Sequence, residues 1–428
     1  MEVVLVFGVL IILILLGVPI AFSMGLSTLL AFYLNGSWNL TVILSQRIYS
    51  GSTSFVLLAI PFYILAGLLM NAGGMTHKIM KFAQMLVGHI TGGMGHVNIL
   101  ASMVFSGMSG SSVADASGLG IVEIETMNAA GYDKKFSAAI TAASATIGPI
   151  IPPSIPFVVY GGIAGVSVGR LFLGGILPGV LMGLGLMIAV YFVSKKRKYP
   201  KSKERATFKE LISNAISALL AVGSVVIILG GIILGIFTPT EAAVVASLYA
   251  FILGFFVFRD LKFSQIYQVL REAARYSISV LFIIAVASSY TWALTLMHVP
   301  QKIIALFGNL TTQPVVILLI INALLLLLGC FMESISIMLL TVPILLPIVN
   351  AIGMDPVHFG VMMTLNLMIG QLTPPMGILL YSVSNISKIP VYDIVLELKP
   401  YLIALLVILL LITFVPSITL FLPNLIMG

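Results

Sequence analysis

Apolar residues run along this chain in long blocks, and the polar residues gather in the gaps between them. Residues 3–16, 20–34 and 55–70 form the first three blocks, separated by Gly17-Val18-Pro19 and by a polar connection over residues 35–54. Apolar runs approaching 20 residues are what a helix needs to cross a bilayer, so the pattern predicts an all-α polytopic membrane protein. Residues 75–90 read differently. His77, Lys78, Lys81 and His89 are spread among apolar residues, the pattern of a helix lying along a membrane surface. Residues 97–127 are apolar but interrupted by Ser106-Gly107-Met108-Ser109-Gly110-Ser111-Ser112. Each arm is too short to span, which predicts a re-entrant helical hairpin with its tip at these small residues. Residues 134–164 carry Gly148-Pro149-Ile150-Ile151-Pro152-Pro153 at their midpoint, and proline interrupts a helix by removing a donor and clashing with the preceding turn. A broken helix is tolerated at membrane depth only where protein buries it or a cavity adjoins it. Residues 171–193 form the last block of this half.

The second half repeats the plan. Residues 211–237, 242–258 and 276–296 are spans, and 259–275 is a charged amphipathic stretch. Residues 314–350 form a second hairpin with Gly329-Cys330-Phe331-Met332-Glu333-Ser334 at its tip, and 355–387 a second broken helix around Gly370-Gln371-Leu372-Thr373-Pro374-Pro375. Residues 401–422 close the chain. Gly148 and Gly370 are 222 positions apart (370 − 148), as are Pro152 and Pro374, Gly107 and Gly329, Asp133 and Asp355, and Pro178 and Pro400. Paired interrupted helices in matching halves point to a transporter binding site. The expected organisation is a first inverted repeat over 1–194, a basic linker over 195–210 and a second inverted repeat over 211–428, each repeat with five spans, one of them broken, and a re-entrant hairpin.

Only 8% of the 428 residues are charged and 60% are hydrophobic, which excludes a soluble enzyme fold. The net charge of +7 is not a nucleic-acid signal, because the basic residues sit between spans. Cys330 is the single cysteine, so no intramolecular disulfide or cysteine metal site is available. An odd number of crossings per half forces the halves into opposite orientations. With the linker in the cytoplasm, 18 of the 21 lysines and arginines fall inside, leaving Arg47, Arg170 and Lys302 outside, as the positive-inside rule asks. Both termini then lie in the periplasm.

Hairpin tips and helix breaks put backbone carbonyls and amides at mid-membrane, where they serve cations and anions respectively. Ser106, Ser109, Ser111 and Ser112 add hydroxyls on the first side, and Thr373 and Ser334 on the second. Oxygen donors without sulfur or a row of carboxylates suit a hard ion such as sodium; the same small residues also allow close helix packing. Asp115 and Glu333 are charges within the hairpins, which marks them as functional candidates; a helix cap is the other reading of Asp115. Glu241 reads as a helix N-terminal cap. Glu123 and Glu125 are expected to be solvated near the cytoplasmic end of their arm. His89 and His96 flank a glycine turn and read as interfacial, with a metal-binding pair as the alternative. Asn366 and Asn385 either face a cavity or bond between helices. There is no Walker-type phosphate loop, so ATP is not the direct energy source.

Ile60-Pro61-Phe62-Tyr63-Ile64-Leu65-Ala66-Gly67, Asn71-Ala72-Gly73-Gly74, Ser109-Gly110-Ser111-Ser112-Val113-Ala114-Asp115, Gly148 to Ser154, Thr238-Pro239-Thr240-Glu241-Ala242-Ala243 and Thr373-Pro374-Pro375-Met376-Gly377 occur in that order. In this the chain resembles, over essentially its whole length, the large membrane subunit of TRAP (tripartite ATP-independent periplasmic) transporters. The resemblance implies an elevator-type, sodium-coupled importer of small organic acids such as C4-dicarboxylates or sialic acid, in a bacterial or archaeal inner membrane. It implies two partners, a small four-helix membrane subunit and a periplasmic substrate-binding protein, and no organic cofactor. It maps sodium onto Ser106, Ser109, Ser111, Gly148 and Pro149 on one side, and onto Gly329, Glu333, Gly370, Thr373 and Met376 on the other. Ser112, Asp115, Pro152, Ser334, Asn366 and Pro374 are the positions expected to meet substrate. A self-sufficient sodium/anion symporter of similar fold is the competing reading, and a membrane scaffold a remoter one.

Overall fold

A computed structural model describes residues 2–199, 208–310 and 313–428, and among them it is helical with no strand. Residues 200–207, the middle of the basic linker, lie outside the described residues. The first half comprises α1 (Glu2–Leu15), α2 (Ile20–Leu34), α3 (Thr41–Ser52), α4 (Ala59–Ala72), α5 (Met75–Val87), α6 (Gly93–Ser109), α7 (Ser112–Ala129), α8 (Lys134–Ala145), α9 (Ile155–Ala164) and α10 (Val168–Arg197). The second half comprises α11 (Phe208–Ile233), α12 (Pro239–Ile252), α13 (Phe263–Leu296), α14 (Val299–Leu310), α15 (Pro314–Gly329), α16 (Ser334–Ala351), α17 (Pro356–Gly370), α18 (Ile378–Ser387), α19 (Val391–Phe414) and α20 (Pro416–Met427). Helices α7 and α16 start 222 positions apart (334 − 112) and end 222 apart (351 − 129), and α8 and α17 also start 222 apart (356 − 134).

Among the described residues, six helical stretches are long and apolar enough to cross a membrane: Phe55–Ala72, Val168–Arg197, Pro239–Val257, Phe263–Leu296, Ser334–Ala351 and Val391–Phe414. Helix α17 is buried at every position from Val357 to Gly370, and α8 from Phe136 to Ala145. A helix buried all round belongs to the middle of a bundle, so the first arm of each broken helix forms the core. Each starts on an aspartate cap. Asp133 Oδ1 accepts from Lys135 N at 2.7 Å, and Asp355 Oδ1 accepts from Val357 N at 2.7 Å. Such a cap satisfies donors that have no intrahelical acceptor. Thr238 and Glu241 form a reciprocal capping box at the start of α12, so Glu241 acts at a helix start as its sequence context suggests.

The chain departs from the sequence reading in several places, among them the last span expected over residues 401–422, which is divided at Val415 between α19 and α20. Residues 35–54, expected as a polar connection, contain α3, which packs against α13; its serines and threonine conceal a helix that tertiary contact holds. The charged stretch 259–275 is largely the opening of α13, which runs unbroken for 34 residues, whereas α3 and α4 are separated by Thr53-Ser54 and a 3₁₀ turn. Glu123, expected to be solvated, is 1% exposed, because α6 and α8 close over it; Glu125 does reach the surface.

Candidate functional site

Each hairpin tip is tied to the break in its own half. The Gly110 carbonyl accepts from Ile155 N at 3.4 Å, and the Cys330 carbonyl accepts from Met376 N at 3.2 Å and Gly377 N at 3.0 Å. In the second half the union is closer still. A Cβ on Gly329 would lie 2.8 Å from the Gly370 Cα, so only two glycines allow α15 and α17 to cross there. Both prolyl pairs at the breaks, Pro152-Pro153 and Pro374-Pro375, carry a cis peptide bond.

Between the two tips lies a cavity of about 510 Å³. Ser109, Ser111, Ser112 and Pro149 line it from the first half, and Glu333, Ser334 and Gln371 from the second. Its far wall is α4 and α13, with Asn71, Glu272 and Tyr276. Across the cavity Ser112 Oγ donates to Gln371 Oε1 at 2.9 Å. No lysine or arginine lines this space among the described residues. Three helix N-termini do: Ser112 and Val113 of α7, Ile155 and Pro156 of α9, Ser334 and Ile335 of α16. The first turn of a helix carries about half a positive charge. At α9 the amides of Ile155 and Phe157 are already held by the Gly110 carbonyl and Ser154 Oγ, and at α16 Glu333 holds Ile335 N and Ser336 N. The free amides are those of Ser112, Val113 and Ser334, the ones left to meet an anion.

Next to the cavity the first tip and first break make a buried oxygen cluster. Ser109 Oγ donates to Asp115 Oδ1. Asp115 is 1% exposed, and its Oδ2 has no hydrogen-bond partner. That oxygen faces Gly148 so closely that a Cβ there would overlap it. Ser109, Asp115, Gly148 and Pro149 are therefore brought together, with Asp115 behind the tip and off the cavity wall. Ser111 caps α7, accepting from Ala114 N at 3.4 Å. Ser106 is one turn back, donating to the Ser102 carbonyl at 2.5 Å.

On the second side Glu333 caps α16, accepting from Ile335 N at 2.9 Å, and also accepts from Ser334 Oγ at 2.9 Å. Thr373 donates to the Ile369 carbonyl at 3.0 Å, and the Met376 side chain is exposed. Of the expected substrate positions, Ser112 and Ser334 line the cavity. Pro152 is buried away from it, Pro374 is exposed, and Asn366 bonds Asn322 Oδ1 at 2.8 Å between α17 and α15, the interhelical alternative. Gln371 escaped the sequence reading although it stands inside the second proline motif; the signal was a long amide side chain in an otherwise apolar break.

Broken helices meeting hairpin tips around a mid-protein cavity define a multi-pass membrane transporter. The sequence of residues 7–418 matches the family described as the tripartite ATP-independent periplasmic transporter, DctM component, and the chain belongs to that family. It is 45% identical over 415 residues to the sialic acid TRAP transporter large permease protein SiaM of Vibrio cholerae, covering 96% of each chain. It is 40% identical over 381 residues to the C4-dicarboxylate TRAP transporter large permease protein DctM of Pseudomonas aeruginosa, covering 89% of each. The crystal structure of the Alcanivorax borkumensis YdaH transporter shares the fold, with a TM-score of 0.64 over 88% of this chain and 87% of that one at 14% identity. The chain is thus a permease subunit of the inner membrane and not an enzyme.

Proposed function

We propose that this chain is the transport subunit of a sodium-coupled, binding-protein-dependent importer of small organic acids, C4-dicarboxylates or sialic acid among them. The observation that carries the reading is the convergence of three helix N-termini on a cavity without a lysine or arginine. Such a site takes a carboxylate through the hydroxyls of Ser109, Ser112 and Ser334 and the few uncapped amides, and a co-bound cation offsets the negative charge that Glu333 and Glu272 bring to the lining. The cluster of Ser109, Asp115, Gly148 and Pro149 fits sodium, because a buried carboxylate oxygen there has no donor of its own and every side-chain donor atom in the cluster is oxygen, as a hard ion prefers. Around the second tip, the Thr373 hydroxyl and the carbonyls near Gly329 and Gly370 would serve the same ion.

Hairpins and broken helices, bonded tip to break in each half, form the moving body of an elevator, and α4 with α13 forms the fixed wall. The halves, 1–194 and 211–428, are inverted repeats flanking a cytoplasmic linker, and both termini face the periplasm. A small four-helix membrane subunit and a periplasmic binding protein complete the system.

The test is uptake into proteoliposomes holding this chain and its small partner, with labelled organic acids, with and without an inward sodium gradient and the binding protein. Uptake that needs both establishes the reading and names the substrate. Sodium-driven uptake without the binding protein makes the chain a self-sufficient symporter.

A further inference from the structure

A second buried polar cluster lies two helical turns from the sodium cluster and takes no part in it. Glu123 of α7 is 1% exposed, with Asn98 and Ser102 of α6 and Thr141 and Ser144 of α8 all 2% exposed or less. Four of these side chains close a ring. Asn98 Nδ2 donates to Glu123 Oε2 at 2.9 Å. Ser144 Oγ donates to Asn98 Oδ1 at 2.7 Å. Ser102 Oγ lies 3.0 Å from Ser144 Oγ and 3.3 Å from Glu123 Oε1. The second N–H of Asn98 leaves the ring for Thr141 Oγ1 at 2.7 Å.

Counting hydrogens separates the two protonation states of this ring, with the Thr141 hydroxyl beside Glu123 as one further donor to an ionised carboxylate. It has four contacts, and its serines and amide supply three hydrogens. If Glu123 is ionised, Ser102 donates to the carboxylate and no hydrogen remains between Ser102 and Ser144. If Glu123 carries a proton, each contact holds one: Glu123 Oε1–H to Ser102, Ser102 to Ser144, Ser144 to Asn98, Asn98 to Glu123 Oε2. The neutral acid completes the ring, and it also removes the large cost of burying a charge among neutral groups.

Among the described residues no lysine, arginine or histidine pairs with Glu123. On α7 itself stand Asp115, which is buried, and Glu125, which is exposed. On α6, His96 faces a separate pocket beside Ile90 and Leu184. On α8, Lys134 and Lys135 are exposed, and Lys135 pairs with Asp393. On α5, Lys78 pairs with Asp260, while His77 and Lys81 are exposed. On α18, Tyr381 and the C-terminal cap Lys388 are both exposed. The packing does not demand an acid either. At the positions 222 further on, Asn98, Ser102 and Glu123 are replaced by Ile320, Leu324 and Leu345, and Leu345 is equally buried in α16.

We propose that Glu123 is a proton-binding site of the first hairpin, loaded in the closed ring and exchanged with water as the transporter cycles. Loading transfers a proton from hydronium to the carboxylate, forming the Oε1–H bond and leaving water; unloading returns the proton to water on the other face. The α6 face carrying Asn98, Ser102, Ser106 and Ser109 runs from the ring to the cavity wall, which the buried Ser109 helps to line. The coupling role of this proton rests on the transport function proposed above, but its binding does not.

The experiment is infrared difference spectroscopy of the whole complex in lipid, acid minus alkaline, over about pH 5 to about pH 9, the range a buried glutamate reaches. A protonated-carboxyl band should titrate in the native protein and be lost in Glu123→Gln. In parallel, uptake at fixed sodium should depend on pH in the native protein and lose that dependence in Glu123→Gln. If the glutamine variant fails to fold, Glu123→Asp keeps a carboxyl and should displace the same band. The proposal falls if the band is absent, persists unchanged across the range, or survives in Glu123→Gln. It also falls if sodium alone abolishes the band at constant pH, which would make the ring a sodium site. Absence of any uptake alongside a titrating Glu123 band would overturn the transport reading and leave the proton site standing.

Discussion

At the scale of single residues, Asp115 shows how a side chain's role follows from what lacks a partner. One of its oxygens is held by Ser109 and the other faces Gly148 with no donor. A methyl group at position 148 would occupy the space in front of that oxygen. Gly148→Ala should therefore abolish the sodium dependence of uptake and destabilise the fold by about 1–3 kcal/mol, the usual cost of overpacking; thermal unfolding and uptake with and without sodium read the two effects. Ser112→Ala leaves Gln371 without its donor across the cavity. One neutral hydrogen bond amounts to about 1 kcal/mol, so thermal stability should fall by about that much, and KM should rise as well where the pair meets substrate. An unaltered KM would remove the pair from the binding surface. Glu123 was the residue least legible in the sequence. It lies a few positions from Gly131 and the lysines of α8, a context that reads as solvated, and only the closure of α6 and α8 over it reveals its burial.

At the scale of elements, the breaks were legible and the contacts were not. Proline and glycine leave the same mark on any helix, so α8 with α9 and α17 with α18 could be placed from composition alone. Helix α3 could not, because Thr41–Ser52 carries no apolar stripe and buries none of its residues. The aspartate caps make an element-level prediction. Asp133→Ala and Asp355→Ala should each cost about 1 kcal/mol of stability, measured by denaturation in detergent. Gly329→Ala should cost more than either cap, because its methyl group would meet the backbone of α17 at Gly370 and the two helices would have to part. Equal losses in all three variants would mean that the crossing yields more easily than its geometry implies.

At the scale of the whole molecule, the elevator reading divides contacts into those within the moving body and those across its boundary. Gly118 of α7 faces Asn71 of α4, with a Cβ at 118 only 3.1 Å from Asn71 Nδ2, and that contact crosses the boundary. Ser112 and Gln371 lie within the body. With Cys330 replaced by serine, cross-linking an Asn71→Cys/Gly118→Cys pair should arrest uptake until a reductant is added. Cross-linking Ser112→Cys/Gln371→Cys should leave the motion of the body intact while impairing substrate binding. Arrest of sodium-dependent movement by the second pair alone would show that the tips move against each other. Topology is testable in the same background: cysteines at positions 2 and 196 should be labelled from opposite sides of the membrane.

The backbone bonds from Gly110 to Ile155 and from Cys330 to Met376 and Gly377 bear on how a blocker could work. A tip that lifted alone would strand a carbonyl and at least one amide in a place with little water, at about 1–3 kcal/mol for each buried group. The tips are therefore poor trapdoors. A compound shaped to prop one open would have to replace those bonds as well as fill the gap, whereas one wedged between the α4–α13 wall and the hairpins would only have to be bulky.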